Sequence, residues 1–205
     1  MGEEIAHTHL SQTFRDIDGA EFTVGQLTRE LAVANTRGIV KLHNQIPFQS
    51  WTERDVLAEG DERRAYTDKW TFSTVAFAKS KRLIGFCFGF RVHRDAIYKE
   101  PGVYLHRMAL APDMIGRRIG AILLAETARR VFSHIETTSC LEPFWVYGQT
   151  NDVPSNSRII QFYHDAGYQV FDRKPYADRV DLVMRMSKID CETSRHAQLR
   201  DAQRT

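Results

Sequence analysis

Cysteine is scarce in this chain: Cys87, Cys140 and Cys191 make an odd number, widely spaced and in no metal-ligand pattern. That usage argues against a disulfide framework and a cysteine zinc site, and it suits a reducing, cytoplasmic setting. His7 and His9 lie two apart without further ligands, so no metal is expected. Long hydrophobic runs are missing too. No stretch approaches the ~20 apolar residues that span a bilayer, and MGEEIAHTHL lacks the basic start and apolar core of a signal peptide. Nor does one charge dominate: 28 Lys and Arg against 26 Asp and Glu leave a net +2, too little to argue for nucleic acid or a membrane surface. What is there, 205 residues with 26% charged and 42% hydrophobic, is the make-up of one soluble globular domain with a substantial core.

Taken in order, residues 1–20 are polar and weakly patterned and read as an arm of uncertain order. Glu21–Leu27 alternates as a strand, placed at an edge, and Thr28 then caps a helix running to Leu42. Pro47 breaks that helix, a short one follows over about Thr52–Ala58, and EGDERRAYTD reads as loop. Trp70–Ala78 and Arg82–Val92 are strands joined by KSKR. In the second, Ile84, Phe86, Phe88, Phe90 and Val92 share one face and Gly85, Cys87 and Gly89 the other, so a helix backbone or a ligand packs close to the small face. Cys87 reads as a small core residue. Gly102–Leu110 is a strand, a helix with a wide apolar face runs from about Gly116 to His134, and Phe144–Gly148 is a short central strand. The helix after Asn156 ends at Gly167, Tyr168–Phe171 and Val180–Met186 close the sheet, and 188–205 reads as a frayed tail. The expected class is α/β (α+β), a single sheet with helices on both faces.

Val103–Ala121, VYLHRMALAPDMIGRRIGA, stands out for its chemistry. A strand delivers a glycine-containing turn onto a helix N-terminus, where unpaired N–H groups and the helix dipole attract anions. Gly116 and Gly120 allow close backbone approach, and Arg117 and Arg118 add charge.

With NSRIIQFYHDAGY (156–168), this stretch resembles the GNAT superfamily of acyl-CoA-dependent N-acyltransferases. Met108, Leu110 and Pro112 match its hydrophobe-x-hydrophobe-x-Pro strand end, and Gly120 ends its Arg/Gln-x-x-Gly-x-Gly/Ala loop. Asn156, Tyr163, Gly167 and Tyr168 match its second signature at every spacing. Ile115 stands where the family has Arg or Gln, and Arg118 where it has the middle Gly. The resemblance spans roughly Phe72–Met186 and implies a GNAT fold with a mixed, mostly antiparallel sheet flanked by helices on both faces. It implies transfer of an acetyl group from acetyl-CoA to a primary amine. The cofactor would be held by Met108, Ala109, Leu110, Ile115, Gly116, Arg117, Arg118, Ile119, Gly120, Ala121, Asn156 and Tyr163, with Arg117 or Arg118 compensating for Ile115. An acyl-CoA-binding module without turnover, and a protein lysine or N-terminal acetyltransferase, stay open as alternatives. The partners expected are a small-molecule amine and, at most, a second copy of the chain.

An alkylamine is mostly protonated at neutral pH, so the reaction calls for a base. His106 is the candidate, read as sharing a face with Tyr104, Met108 and Leu110; a core histidine is the alternative. Glu126 and Glu100 are lesser candidates. Tyr163 matches the family's usual acid toward the departing thiolate. Phe48 and Trp51, at the break between the first two helices, and Tyr104 are candidates for the acceptor pocket. The run from Glu53 to Glu62 carries five acids against the single basic residue Arg54, so steering of cationic amines is a further expectation, with solvated surface charges the alternative.

Overall fold

A computed structural model describes residues 11–46, 50–62, 64–138 and 144–204, and its framework is one eight-stranded sheet. In chain order the strands are β1 (Gln12–Arg15), β2 (Glu21–Gln26), β3 (Thr74–Ala78), β4 (Leu83–Val92), β5 (Gly102–Leu110), β6 (Trp145–Asn151), β7 (Gln169–Pro175) and β8 (Val180–Met186). They lie in the order β1-β2-β3-β4-β5-β6-β8-β7, antiparallel except where β5 meets β6 in parallel. The helices are α1 (Arg29–His43), α2 (Glu53–Leu57), α3 (Lys69–Phe72), α4 (Ile119–Thr137), α5 (Ser157–Asp165), α6 (Lys188–Thr193) and α7 (Arg195–Ala202).

Helices cover both faces. Ile39 of α1 and Val56 of α2 are buried with Phe86, Phe88 and Ala109. On the other face Ile122, Leu123 and Val131 of α4 are buried with Val103, Leu105 and Met184. The long apolar stripe of α4 is why it lies flat on the sheet. Thr28 caps α1 as its sequence position requires, its Oγ1 accepting from Leu31 N at 3.2 Å.

Four expectations need correction. The 1–20 arm contains β1, whose Phe14 is fully buried with its ring 5.7 Å from Phe22; β2 is therefore an interior strand. Residues 70–72 are the last turn of α3 rather than strand, because Asp68 is left-handed (φ 57°) and its carbonyl accepts from Thr71 N and Phe72 N. Ile84 packs with Cys87 against α4 instead of with Phe86, since the β3–β4 register shifts between Ala76 and Phe77. The frayed tail is α6 and α7. Ser187 and Ser194 cap them, and buried Glu126 of α4 accepts from Arg129 Nε (3.0 Å) and lies 3.4 Å from Arg200 Nη1 of α7. Few large apolar residues mark this segment, because polar contacts hold it.

Candidate active site

Pairing between the parallel strands β5 and β6 runs from Gly102↔Trp145 to Tyr104↔Tyr147 and then stops. Beyond it β6 pairs only with β8, so a gap opens between residues 105–110 and 148–151. Each of these strands leads into a helix, α4 and α5, and the N-termini of both face the end where the strands part.

On the α4 side the loop is built from backbone. After a 3₁₀ turn at Pro112–Met114, Gly116 (φ 83°) and Arg118 (φ 65°) both adopt the left-handed conformation. These two residues delay the helix start from the expected Gly116 to Ile119. The first helical bond is Ile122 N to Arg118 O at 3.2 Å, so the N–H groups of Ile119, Gly120 and Ala121 precede it without intrahelical acceptors. A Cβ at Gly116 would meet nothing within 4 Å, whereas one at Gly120 would lie 3.0 Å from Leu110. Gly116 is thus the open approach, and Gly120 serves close packing. Arg117 is committed elsewhere, its Nη2 lying 2.6 Å from Asp16 and 3.0 Å from Asp18. Arg118 is exposed, as is Ile115 at 68%. A phosphate therefore fits here: free N–H groups, an open glycine and one exposed guanidinium converge.

Tyr163 lies across β6 at Gly148, where a Cβ would come 2.9 Å from its ring. Burial pushes its ionisation well above the ordinary tyrosine range, so its hydroxyl is a neutral donor. Asn156 uses its amide locally, donating to Asn151 O at 3.2 Å and Thr150 Oγ1 at 3.4 Å. Met108 and Leu110 pack with this face, and Ala109 with the opposite one.

That division exposes a misreading of β5. Phe88 pairs with Arg107 and Gly89 with Leu105, leaving His106 as the extra residue of a β-bulge. The bulge turns His106 to the face of Tyr104 and away from that of Met108 and Leu110. Its half-buried ring lies 5.4 Å from Tyr66, 5.6 Å from Phe90, 5.8 Å from Tyr104 and 6.3 Å from Trp51. Burial first, then the Arg107 charge, push its pKa down to about 3. The ring is neutral at physiological pH, and its Nδ1 is buried without a partner.

A cavity of ≈ 100 Å³ adjoins it, lined by Trp51, Asp55, Asp61, Tyr66 and Lys69 among others. Trp51 is held by Asn44, which accepts from its N–H at 2.7 Å, and stacks on His43 at 3.9 Å. Lys69 is 4% exposed; its Nζ donates to Val56 O (2.8 Å) and Ala58 O (2.7 Å) and sits 4.5 Å from the Phe88 ring centroid. Burial lowers its pKa to about 8. Tyr66 and Lys69 escaped the sequence reading because they sit at the end of a charged run that looks like solvated loop. Phe48 lies outside the described residues. Glu100 and Glu126 are absent from this lining: Glu100 accepts from Arg185 at 3.1 Å, and Glu126 is the buried partner of Arg129 and Arg200. Among the described residues no cluster of three or more His, Cys, Asp and Glu is placed to hold a metal, and no helix is long and apolar enough to cross a membrane.

Comparison with solved structures finds the same fold repeatedly. A protein from Bacillus halodurans aligns with TM-score 0.62 at 12% identity over 94% of this chain and 97% of its own. The ribosomal-protein-S18-alanine N-acetyltransferase of Escherichia coli aligns with TM-score 0.54 at 15% identity, over 81% and 93%. The aminoglycoside N(6')acetyltransferase of Legionella pneumophila gives 0.53 at 13% identity, over 83% and 94%. Identities this low speak for the fold alone. No curated protein sequence matches this one. The profile of the Acetyltransferase (GNAT) family matches residues 37–168, from within α1 to the end of the α5 signature. On that match the chain belongs to the GNAT acetyltransferase family and is an acyltransferase.

Proposed function

We propose that this protein acetylates the primary amine of a small molecule by direct attack of the amine on the thioester of acetyl-CoA. The observation that carries the reading is the gap between β5 and β6, flanked by free N–H groups of α4 on one side and the His106 cavity on the other. Bound acetyl-CoA supplies the acetyl group in activated form. Residues 116 and 118–121 would hold its pyrophosphate, through backbone N–H groups and the Arg118 guanidinium. A cavity of ≈ 100 Å³ favours a small amine over a peptide segment. The chain acts as one domain, its two ends joined by Arg15 N donating to Gln203 O at 3.3 Å.

The amine must react unprotonated. Arg107, Lys69 and Arg64 all act on His106 as positive charges, opposed by Asp61. The same field lowers the pKa of an amine placed beside them, as a neighbouring cation does for a catalytic lysine. Neutral His106 then accepts a hydrogen bond from the amine N–H and orients its lone pair, and with a pKa of about 3 it passes the proton on to water. The Tyr163 hydroxyl donates to the departing sulfur, a modest contribution because a thiolate leaves tolerably unaided.

A panel of amines with thiol release as readout tests the reading, and turnover of at least one small amine is expected. His106→Ala is expected to lower kcat/KM by about 10²-fold, evenly from pH 6 to 9. Unchanged activity would assign His106 to packing, and a loss confined to low pH would mean a base that titrates near neutrality.

A further inference from the structure

The loop that leads into α4 is fastened by the turn between β1 and β2. Arg117 stands between the two left-handed residues of that loop, Gly116 (φ 83°) and Arg118 (φ 65°), and its own N–H is turned back to Met114 O at 3.4 Å. Its Nη2 lies 2.6 Å from Asp16 Oδ2, a carboxylate whose residue is only 6% exposed. The other oxygen of Asp16 builds the β1–β2 turn: Oδ1 accepts from Asp18 N and Ala20 N, both at 2.9 Å, and Asp16 N donates to Ala20 O at 3.0 Å. Phe14, two residues earlier, is fully buried beside Phe22, so the turn rides on the sheet. One carboxylate thus joins a sheet-anchored turn to the middle of the loop. Two neighbouring contacts are weaker. Asp18 reaches the same Nη2 at 3.0 Å from an exposed position, and the Arg82–Asp113 pair at the start of the loop, 2.7 Å apart, is about half exposed on both sides. Exposed ion pairs contribute little.

We infer that Asp16 is a positioning residue for the cofactor: through Arg117 it holds residues 116–121 in the shape that presents their free N–H groups to a pyrophosphate. The inference rests on the reading of that loop as the coenzyme A site. Left-handed backbone at a residue with a side chain persists where its surroundings over-determine it, and an ion pair one residue from Arg118 is such a constraint. A loop already in its binding shape loses no affinity to ordering, whereas one that visits that shape for a fraction of the time binds weaker by that fraction. Arg117 acts on the loop rather than on the phosphate. To reach an anion it would have to leave a buried negative charge without its partner. Arg117 and Arg118, adjacent in sequence, thus have different tasks: the first fastens the loop and the second meets the ligand.

The test is calorimetric titration of coenzyme A into the full chain as wild type, Asp16→Asn, Arg117→Gln, their double variant and Asp113→Asn, with folding stability read separately by denaturant titration. Asp16→Asn and Arg117→Gln are each expected to weaken binding by about tenfold, the loss that follows when the loop holds its binding shape about one-tenth of the time. Arg117→Lys is expected to recover part of this, since it keeps a charge for Asp16. The double variant is expected to bind no more weakly than the worse single, because both remove one interaction. Asp113→Asn is expected to stay within about twofold of wild type. The direction at Asp16 decides most. Were Arg117 a direct phosphate ligand, Asp16→Asn would release it and bind coenzyme A as well as wild type or better, and that result overturns the inference. Losses that multiply in the double variant overturn it too, as does a fall in stability with unchanged affinity, which would make the pair purely structural. Failure of the wild type to bind coenzyme A is a different result: it removes the cofactor reading, and this inference with it.

Discussion

The two sides of the β5–β6 gap are each anchored by a buried charge, Glu126 of α4 on one and Lys69 of α3 on the other, and the two are partnered differently. Glu126, fully buried, receives the guanidinium of Arg129 in two bonds at 3.0 Å and lies 3.4 Å from Arg200. Among the described residues Lys69 has no carboxylate in contact; two carbonyls and the faces of Trp70 (4.7 Å) and Phe88 (4.5 Å) hold its ammonium. The ion-paired anchor ties α4 to α7 as one unit. The carbonyl-bound anchor ties the C-terminal end of α2 to α3 through a group whose pKa burial lowers to about 8. The cofactor side is thus fastened by an ion pair and the acceptor side by neutral acceptors.

The largest expected effect comes from removing the ion-paired anchor. Glu126→Ala removes the carboxylate that Arg129 and Arg200 share, and a loss of about 3 kcal/mol in unfolding free energy is expected by denaturant titration, Arg200 keeping its contact with Asp201. A loss below 1 kcal/mol would mean that α7 is not fastened through Glu126.

Lys69 is expected to matter less, and in a pH-dependent way. Its folded pKa of about 8 lies below the ordinary 10.5. Between those values the unfolded chain holds the extra proton, so stability rises as pH increases through that window, by at most about 1–3 kcal/mol. Lys69→Met removes this rise and leaves two carbonyls unsatisfied, so about 1–3 kcal/mol of destabilisation is expected at pH 7. The same slope of stability from pH 8 to 10 in variant and wild type would contradict the assignment.

The smallest effect sharpens the cofactor side. Arg118 sits at φ 65°, where a side chain costs roughly 1 kcal/mol relative to glycine. Arg118→Gly is expected to raise the melting temperature by a few degrees while weakening acetyl-CoA through loss of the guanidinium.

The two sides also differ in how legible they were. Backbone features dominate the α4 side, and turns, caps and helix stops have local signatures. Gly116 and Gly167 at φ 91° sit in the turns where local pattern puts them, although the helix after Gly116 starts only at Ile119. The acceptor side is assembled from Trp51, from Tyr66 and Lys69, and from His106, three separate segments that meet only through packing. The bulge at His106 has no signature in YLHRMAL, since an extra residue is defined by register against β4. The termini are hard to read from sequence for a related reason. β1 is short, and α6 and α7 are fastened by capping serines and a buried carboxylate rather than by apolar stripes, so hydrophobic periodicity passed them over.

Acetyl-CoA titrated calorimetrically into wild type, Arg118→Glu and Arg107→Gln tests the separation of the two sides most directly. Arg118→Glu reverses charge at the α4 N-terminus and is expected to weaken binding by about tenfold or more. Arg107→Gln, on the acceptor face of β5, is expected to bind acetyl-CoA within about twofold of wild type. Wild-type affinity in Arg118→Glu, or a loss in Arg107→Gln as large as that in Arg118→Glu, would contradict a cofactor held at α4 with the acceptor on the opposite face.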